Sequence, residues 1–247
     1  MFIRFFLIGL LLVSEGVFAL DHSPKWSVEA EIGVAFQTRN DVRIPGDSGT
    51  DVNLKALQER AALYQRLHLD HFFSSKHQLR LIYAPLRFHG SGFLTKDVTF
   101  DTAQFNQGDF VSAGFKFNSY RLGYRYWIPM GQSWDIRVGV TGKIRDAYVS
   151  IESTSEKEKY SNLGFVPLFH VGVRGYLSPK VGIDLDVDGA WSPQGRAEDL
   201  ALKMFFQMSE KLASSVGYRM LEGGADVSKV YTFAWVHYFF MSLQYSF

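Results

Sequence analysis

The chain has 247 residues, carries a formal net charge of +1 and contains no cysteine. A net charge this close to zero gives no electrostatic basis for nucleic-acid binding. The lack of cysteine excludes a disulfide framework, a cysteine-based zinc site and a cysteine nucleophile. Because nothing reads as a linker or a low-complexity segment, we expect one domain over residues 20–247, with no cofactor and no nucleic-acid partner.

Residues 1–19 have the three parts of a secretory signal peptide. Arg4 supplies the positive charge, an apolar run follows from Phe5 to Val13, and Val17 and Ala19 suit the −3 and −1 positions of a cleavage site. A membrane-spanning helix needs about 20 apolar residues, and this run is too short. We therefore expect the segment to direct secretion and then to be removed.

Short turns alternate with longer polar segments along the rest of the chain. The turn signals are Ser74-Ser75-Lys76, Met130-Gly131-Gln132-Ser133, Ser178-Pro179-Lys180 and Ser209-Glu210-Lys211. The longer segments, rich in Gly, Asp, Asn and Ser, cover about 39–58, 89–108, 152–163, 193–198 and 222–229. Four turns and five loops separate ten strands, an even number that returns both ends of the chain to one side.

The segments between these breaks alternate with a period of two, which indicates strands. In the first segment, Val28, Ala30 and Ile32 share one face, while Glu29 and Glu31 share the other. The same alternation places a set of charged residues on the inward face of the predicted strands: Glu29, Glu31, Arg121, Arg125, Arg137, Lys143, Arg145, His170, Arg174, Asp184, Asp186, Asp188, Lys203 and Arg219.

Two segments also fit a helical period, with apolar residues at three- and four-residue steps. These are Asn53–Leu67 and Ala197–Leu212, and periodicity alone does not separate helix from strand there. If both were helical, the strand count would fall to eight. Pro85 and Pro167 lie inside predicted strands, where each removes a ladder donor, so we expect a bulge or an exposed strand end at each.

The final strand ends the chain on an aromatic residue, Phe247, with Tyr245 and Leu243 two and four places before it. This pattern resembles the closing strand of Gram-negative outer-membrane β-barrel proteins, in which it is the signal read by the barrel assembly machinery. The overall architecture is similar to the small OmpA/OmpX/OmpW-type barrels. The resemblance implies an all-β, closed antiparallel transmembrane barrel in the outer membrane, in contact with outer-membrane lipid and lipopolysaccharide. We predict ten strands, with eight as the alternative.

The function is predicted less sharply. The interior of a small barrel is just wide enough to be filled by its side chains, and charges held so closely must pair. We therefore expect a structural or surface protein with a charged, plugged lumen, and a narrow porin-like path as the alternative. Metal binding by Asp184, Asp186 and Asp188 is not expected, since calcium takes six to eight oxygens from a curled loop and strand positions are too far apart.

Two enzyme families provide further alternatives. The lipid A deacylase family uses a His and a Ser two residues apart on one strand, with a nearby Glu. His89 and Ser91 have that spacing, and Glu222 lies at another predicted outer strand end, which suggests a serine nucleophile, a histidine base and an orienting carboxylate. The omptin proteases place an Asp-His pair at the outer rim. Asp70-His71 is such a pair, but it lies beside a short turn at the predicted periplasmic end.

Overall fold

A computed structural model describes residues 25–57 and 61–247 of the chain, which fold into a closed antiparallel barrel. Its strands are β1 (Lys25–Arg43), β2 (Ala62–Ser74), β3 in two segments (His77–Ala84 and Arg87–Phe93), β4 (Phe110–Met130), β5 (Trp134–Glu152), β6 (Lys157–Ser178), β7 (Val181–Ser192), β8 (Gly195–Gln207), β9 (Leu212–Val227) and β10 (Val230–Ser246). The prediction of ten strands is confirmed, and the eight-strand alternative is wrong. The expected signal peptide, residues 1–19, lies outside the described residues.

The first and last strands close the sheet. β1 pairs with β10 over almost its whole length, and Trp26 and Phe247 exchange backbone hydrogen bonds with N···O distances of 3.2 and 2.9 Å. Closure removes the edge strands whose unpaired backbone groups are intolerable in lipid. Leu243, Tyr245 and Phe247 are exposed on the outer surface at this junction, and their role as an assembly signal stays a prediction.

The two faces of the wall differ in chemistry, as the alternation predicts. On β5, Ile136, Val138 and Val140 point outward, while Arg137 and Thr141 are buried inside. The outward row is apolar on all ten strands, and aromatic side chains such as those of Trp26, Trp134 and Trp191 lie near its borders. This apolar band and the closed sheet are the features that allow a β-barrel to cross a membrane.

The four turns at one end of the barrel are short, as predicted. At the other end, only the first two connections are long; the remaining connections span 153–156, 193–194 and 228–229. The last three loops are therefore shorter than expected, because the flanking strands continue to pair beyond the apolar band. The β5–β6 ladder, for example, continues to Glu152 and Lys157.

The first two connections fold onto the barrel. Val52–Asn53 adds to β1 and leads into a single helical turn, α1 (Leu54–Leu57). The second connection forms a small hairpin of Val98–Phe100 and Ala103–Phe105. Leu54, Phe100 and Phe105 are almost completely buried and join one apolar cluster with the inward side chains of the outer strand ends.

The helical interpretation of Asn53–Leu67 and Ala197–Leu212 is wrong for most of their length. In the first segment the helix is limited to α1, and β2 begins at Ala62. The second segment is mainly β8, because alternate burial along Ala197–Gln207 outweighs its helical spacing. Within the described ranges, no helix is long and apolar enough to cross a membrane.

Both interior prolines mark interruptions of the sheet. Pro85 separates the two segments of β3, and only the first segment pairs with β2. Pro167 lies where the β6–β7 ladder stops, since the last pair is Phe169 with Gly189. Above this pair, the backbone of β6 residues Lys157–Leu168 pairs with β5 and with no other strand in the described part of the chain. We call this unpaired stretch, which faces the end of the β7–β8 hairpin, the seam.

Candidate functional site

The barrel interior is divided into two parts along its axis, and the division is visible in β5. Its inward residues are Arg137 and Thr141 near the turn end, then Lys143 and Arg145, and finally apolar residues up to Ile151. We call the part whose charges are paired, which on β5 ends at Thr141, the ion-pair layer. The wider space beyond it, which on β5 begins at Lys143 and Arg145, is the outer chamber.

The ion-pair layer connects opposite walls of the barrel. Asp186 on β7 accepts from Arg125 on β4 at 3.2 Å and lies 3.3 Å from Arg80 on β3. Asp188, two residues on, pairs with Arg121 on β4 at 3.0 Å. The Asp186 side chain is 16% exposed and the others are almost completely buried, so these charges depend mainly on their partners rather than on water.

Asp184 and Asp188 also bond to the neighbouring strand, β6. The register places Arg174 opposite Asp184 and His170 opposite Asp188. Arg174 approaches Asp184 to 2.5 Å, Arg137 donates to the same carboxylate, and His170 lies 2.9 Å from Asp188. Three alternate acids on one strand are therefore held by bases from the neighbouring strand β6 and from strands farther round the barrel.

The acids of β1 meet bases from β8 and β9. Lys203 binds Glu29 at 2.6 Å, and Arg219 binds Glu31 at 3.1 Å. In the strand register Lys203 lies opposite Asp184, but its ammonium group reaches across to Glu29.

Asp199 on β8 is a central acid that the sequence analysis missed. It contacts three guanidinium groups, those of Arg66 at 3.0 Å, Arg121 at 2.6 Å and Arg219 at 2.7 Å. The signal for it was present, because Asp199 precedes Lys203 by four residues and shares its face on a strand. Lys203 was assigned to the inward face, and the same alternation extended by four residues leads to Asp199.

The ion-pair layer leaves almost no free space in the described part of the barrel. The void among Glu31, Arg66, Asp186 and Arg219 has a volume of about 10 Å³. A single water molecule needs about 10–15 Å³ measured in this way. A second void near Glu29, toward the turn end, measures about 30 Å³.

Two groups in the layer have ligand atoms close enough together for a metal ion: Glu29, Glu31 and His68, and His170, Asp186 and Asp188. The carboxylates in both groups already bind Arg or Lys side chains. A metal ion would have to compete with these cations, so the arrangement favours ion pairing over coordination.

The outer chamber belongs to a cavity of about 780 Å³ that is lined mainly by apolar groups and also reaches lipid-facing residues such as Phe165 and Phe169. Its inward lining includes Phe115, Lys143, Arg145, Val149, Leu221 and Val236. This volume lies within the range of about 300–1,000 Å³ found for small-molecule sites.

Lys143 and Arg145 are inside the barrel, as predicted, but neither has an ion-pair partner among the described residues. The Lys143 ammonium lies over the Phe117 ring at 4.7 Å. Arg145 donates to the Asn162 side chain at 2.5 Å, and its Nε has no hydrogen-bond acceptor. The chamber therefore contains two basic groups that form no ion pair with the described part of the barrel wall; the nearest attracting acid for Lys143 is Asp199 in the ion-pair layer.

The outer mouth is partly covered by the second loop. The hydroxyl group of Thr102, at the tip of the small hairpin, donates to Glu158 on β6 at 2.5 Å. This hydrogen bond lowers the pKa of the Glu158 carboxyl below its ordinary value. The loop thus extends from its origin between β3 and β4 to the free end of β6.

The proposed hydrolase residues are not brought together. His89 and Ser91 lie on the second segment of β3 and pair with β4. Glu222 lies on β9, four strands away around the barrel, and is bound by Arg196 at 2.7 Å. No hydrogen bond links any two of the three candidates within the described residues.

The Asp70-His71 pair is also divided by the barrel wall. Asp70 points inward and binds Arg80 at 2.5 Å, while the His71 ring stacks on Trp26 at a centroid distance of 4.1 Å. Neighbouring residues of a strand point to opposite faces, so this pair does not form a common site.

No protein-family model matches the chain, and no curated protein matches its sequence. The translocator domain of the autotransporter NalP from Neisseria meningitidis is a similar solved structure, with 10% identity, a TM-score of 0.49, and coverage of 92% of this chain and 90% of that chain. The outer membrane protease OmpT from Escherichia coli has 9% identity and a TM-score of 0.49, with coverage of 90% of this chain and 97% of that chain. Ail, the attachment invasion locus protein of Yersinia pestis, has 11% identity and a TM-score of 0.40, with coverage of 90% of this chain and 99% of that chain. The likeness is one of overall fold.

Replacing Asp199 with Asn should destabilise the barrel strongly. The substitution leaves three buried guanidinium groups with less counter-charge, and removing one partner of a buried pair typically costs about 3–5 kcal/mol. The exposed Glu152–Lys157 pair supplies the control, since Glu152→Gln should cost about 0–1 kcal/mol. Urea titration of the refolded protein in detergent micelles measures both free energies of unfolding. Equal effects of the two substitutions would contradict a stabilising role for the layer.

Proposed function

We propose that this outer-membrane barrel is closed to through-passage and binds the apolar part of a small amphiphilic molecule in its outer chamber. One observation carries this proposal, namely the division of a single lumen into a filled charged layer and a large apolar cavity. The narrow-path alternative requires continuous water through the bore, and the filled layer does not favour it.

The closed layer is supported by the positions of its ion pairs. The pairs of Asp186 with Arg80 and Arg125, and of Asp199 with Arg66 and Arg121, cross the lumen rather than lying along the wall. Each therefore holds two long side chains across the bore. Opening a path for ions would separate buried charges, which is unfavourable without a replacement partner.

Ligand binding in the outer chamber is supported by its composition and size. An apolar cavity of about 780 Å³ with a few polar groups matches the general form of a small-molecule site. A lipid A deacylase function is not favoured, because His89, Ser91 and Glu222 are separated. Lipopolysaccharide and outer-membrane lipid remain the expected surroundings of the barrel.

The route to the membrane belongs to the same proposal. We propose that residues 1–19 are cleaved after secretion and that Leu243, Tyr245 and Phe247 engage the barrel assembly machinery of a Gram-negative cell. Leu243, Tyr245 and Phe247 are exposed on the outer surface at the end of the chain, and this position supports their recognition by another protein.

The wild-type protein should show near-zero single-channel conductance in a planar bilayer. Replacing both Arg125 and Asp186 with Ala should raise the conductance, because it removes a pair that crosses the lumen without changing the net charge. The control is the double substitution Glu152→Ala with Lys157→Ala, which removes an exposed pair beyond the apolar band. Steady conductance of the wild type, unchanged in both variants, would show an open pore.

The outer chamber should bind dodecanol, an uncharged twelve-carbon chain. A photoreactive diazirine derivative, added to the protein in lipid nanodiscs, should label inward residues such as Leu221 and Val236 as well as lipid-facing Phe239. Ala190→Phe places a phenyl ring in the chamber and should reduce the inward labelling. Ala30→Phe, on the outer surface, should not reduce it. Mass spectrometry locates the labels. Labelling of outward residues alone would contradict chamber binding.

A further inference from the structure

Lys143, Arg145 and the seam all border the same cavity. We propose that the ligand of the outer chamber is a single-chain fatty acid, which enters from the outer leaflet through the seam and places its carboxylate between Lys143 and Arg145. This inference rests on the proposed binding function of the chamber and specifies the ligand class and its route.

The seam lies at the level of the membrane. In the β5–β6 register, Phe169 is opposite Val140 and Phe165 is opposite Ile144, and all four side chains are on the apolar outer face. The next outward residue of β5 is Asp146, which pairs with Lys116 and begins the polar surface. The lower part of the seam is therefore within the apolar band.

The seam is an interruption with a chemical consequence. Unpaired backbone groups facing lipid are unfavourable, so a spanning sheet normally pairs all of them. Here Pro167 removes one donor at the position where the ladder stops. The β7–β8 hairpin turns at 193–194, so β7 does not continue along the remaining edge of β6.

The cavity extends to this opening. Its lining combines inward residues of β6, such as Val166 and Leu168, with Phe165, Phe169 and Trp191 on the lipid-facing side. The last three are 70%, 72% and 68% exposed. A space bounded by both faces of one wall passes through that wall, and the aromatic rings provide an apolar border for an entering chain.

The charge of the chamber selects the head group. The other inward Arg and Lys side chains of the layer have carboxylate partners, but Lys143 and Arg145 have none in the described residues. Alternate residues of a strand are about 7 Å apart, which allows two cations to flank one anion. A buried cation is stabilised by an opposite charge, and a carboxylate supplies it.

The size of the chamber selects the number of chains. A cavity of about 780 Å³ accommodates a ligand of ordinary small-molecule size, a class to which a single-chain fatty acid belongs and a membrane glycolipid with several chains does not. The mixed lining provides an apolar site for that chain and a cationic site for its acid group.

Head-group selection is tested by comparing two probes with the same chain, diazirine-tagged dodecanoate and dodecanol, in nanodiscs at pH 8. Charge-assisted hydrogen bonds favour the carboxylate, so wild-type protein should label inward residues at an about tenfold lower dodecanoate concentration. Lys143→Met with Arg145→Gln should remove this preference and leave dodecanol labelling unchanged. Lys76→Met with Arg87→Gln is the matched control and should retain the preference.

The outcomes separate the two proposals. Inward labelling by dodecanol with no preference for dodecanoate would overturn fatty-acid selection but leave apolar binding in place. No inward labelling by either probe would overturn both. Loss of dodecanol labelling in the Lys143 and Arg145 variant would show that these residues support the chamber rather than the head group, and would also overturn the assignment.

The route is tested with a single cysteine in a chain that otherwise has none. Leu168→Cys places the thiol inside the chamber beside the seam. We expect faster reaction with dodecylmaleimide dissolved in the nanodisc lipid than with a sulfonated maleimide in water. Ser155→Cys, in the β5–β6 turn, should show the opposite order. Faster reaction of Leu168→Cys with the aqueous reagent, or no reaction with either, would overturn lateral entry.

Discussion

Neutralisation of charge inside a narrow barrel is the constraint on which the rest of the structure depends. The alternation that gives each strand its lipid-facing row also places Asp, Glu, Arg and Lys inside, where little water can solvate them. Asp184, Asp186 and Asp188 on β7 are each held by bases from more than one strand. Because several of these partners come from the opposite wall, the ion pairs hold the bore filled as well as neutral.

The same constraint gives meaning to the charges that are not neutralised. The inward carboxylates of the ion-pair layer are paired with Arg or Lys side chains. Lys143 and Arg145 lie just above the layer, where the inward surface becomes apolar and no acid is supplied by the neighbouring strands. Neither group has an ion-pair partner in the described wall, and the chamber is the space from which an anionic ligand can approach both.

The sequence predicted the parts of the structure that depend on local alternation. The facing of each strand and the ten-stranded closure follow from a period of two and short turns, whereas the pairs of His170 with Asp188 and Arg174 with Asp184 are set by the strand register. Contacts across the lumen, such as Arg80 with Asp186, depend on strand tilt and stagger, which the pattern does not encode. Asp199 was missed although it shares the inward face of its strand with Lys203, and its three partners lie on other strands. The inward folding of the first two loops was not predicted, since it depends on tertiary packing of residues such as Phe100.

The seam and the closed layer are two consequences of one arrangement of strand lengths. β4, β5 and β6 extend beyond the apolar band, whereas the β7–β8 hairpin ends soon after Gly189. Ion pairs close the barrel near its turn end, so the outer half does not form part of a water-filled channel. The inward surface of that half can therefore be apolar. An apolar chamber closed from below and partly covered by loops then exchanges its contents most readily with lipid. The unpaired edge of β6 is where the wall permits that exchange, and the cations beside it determine which lipid-dissolved molecules remain.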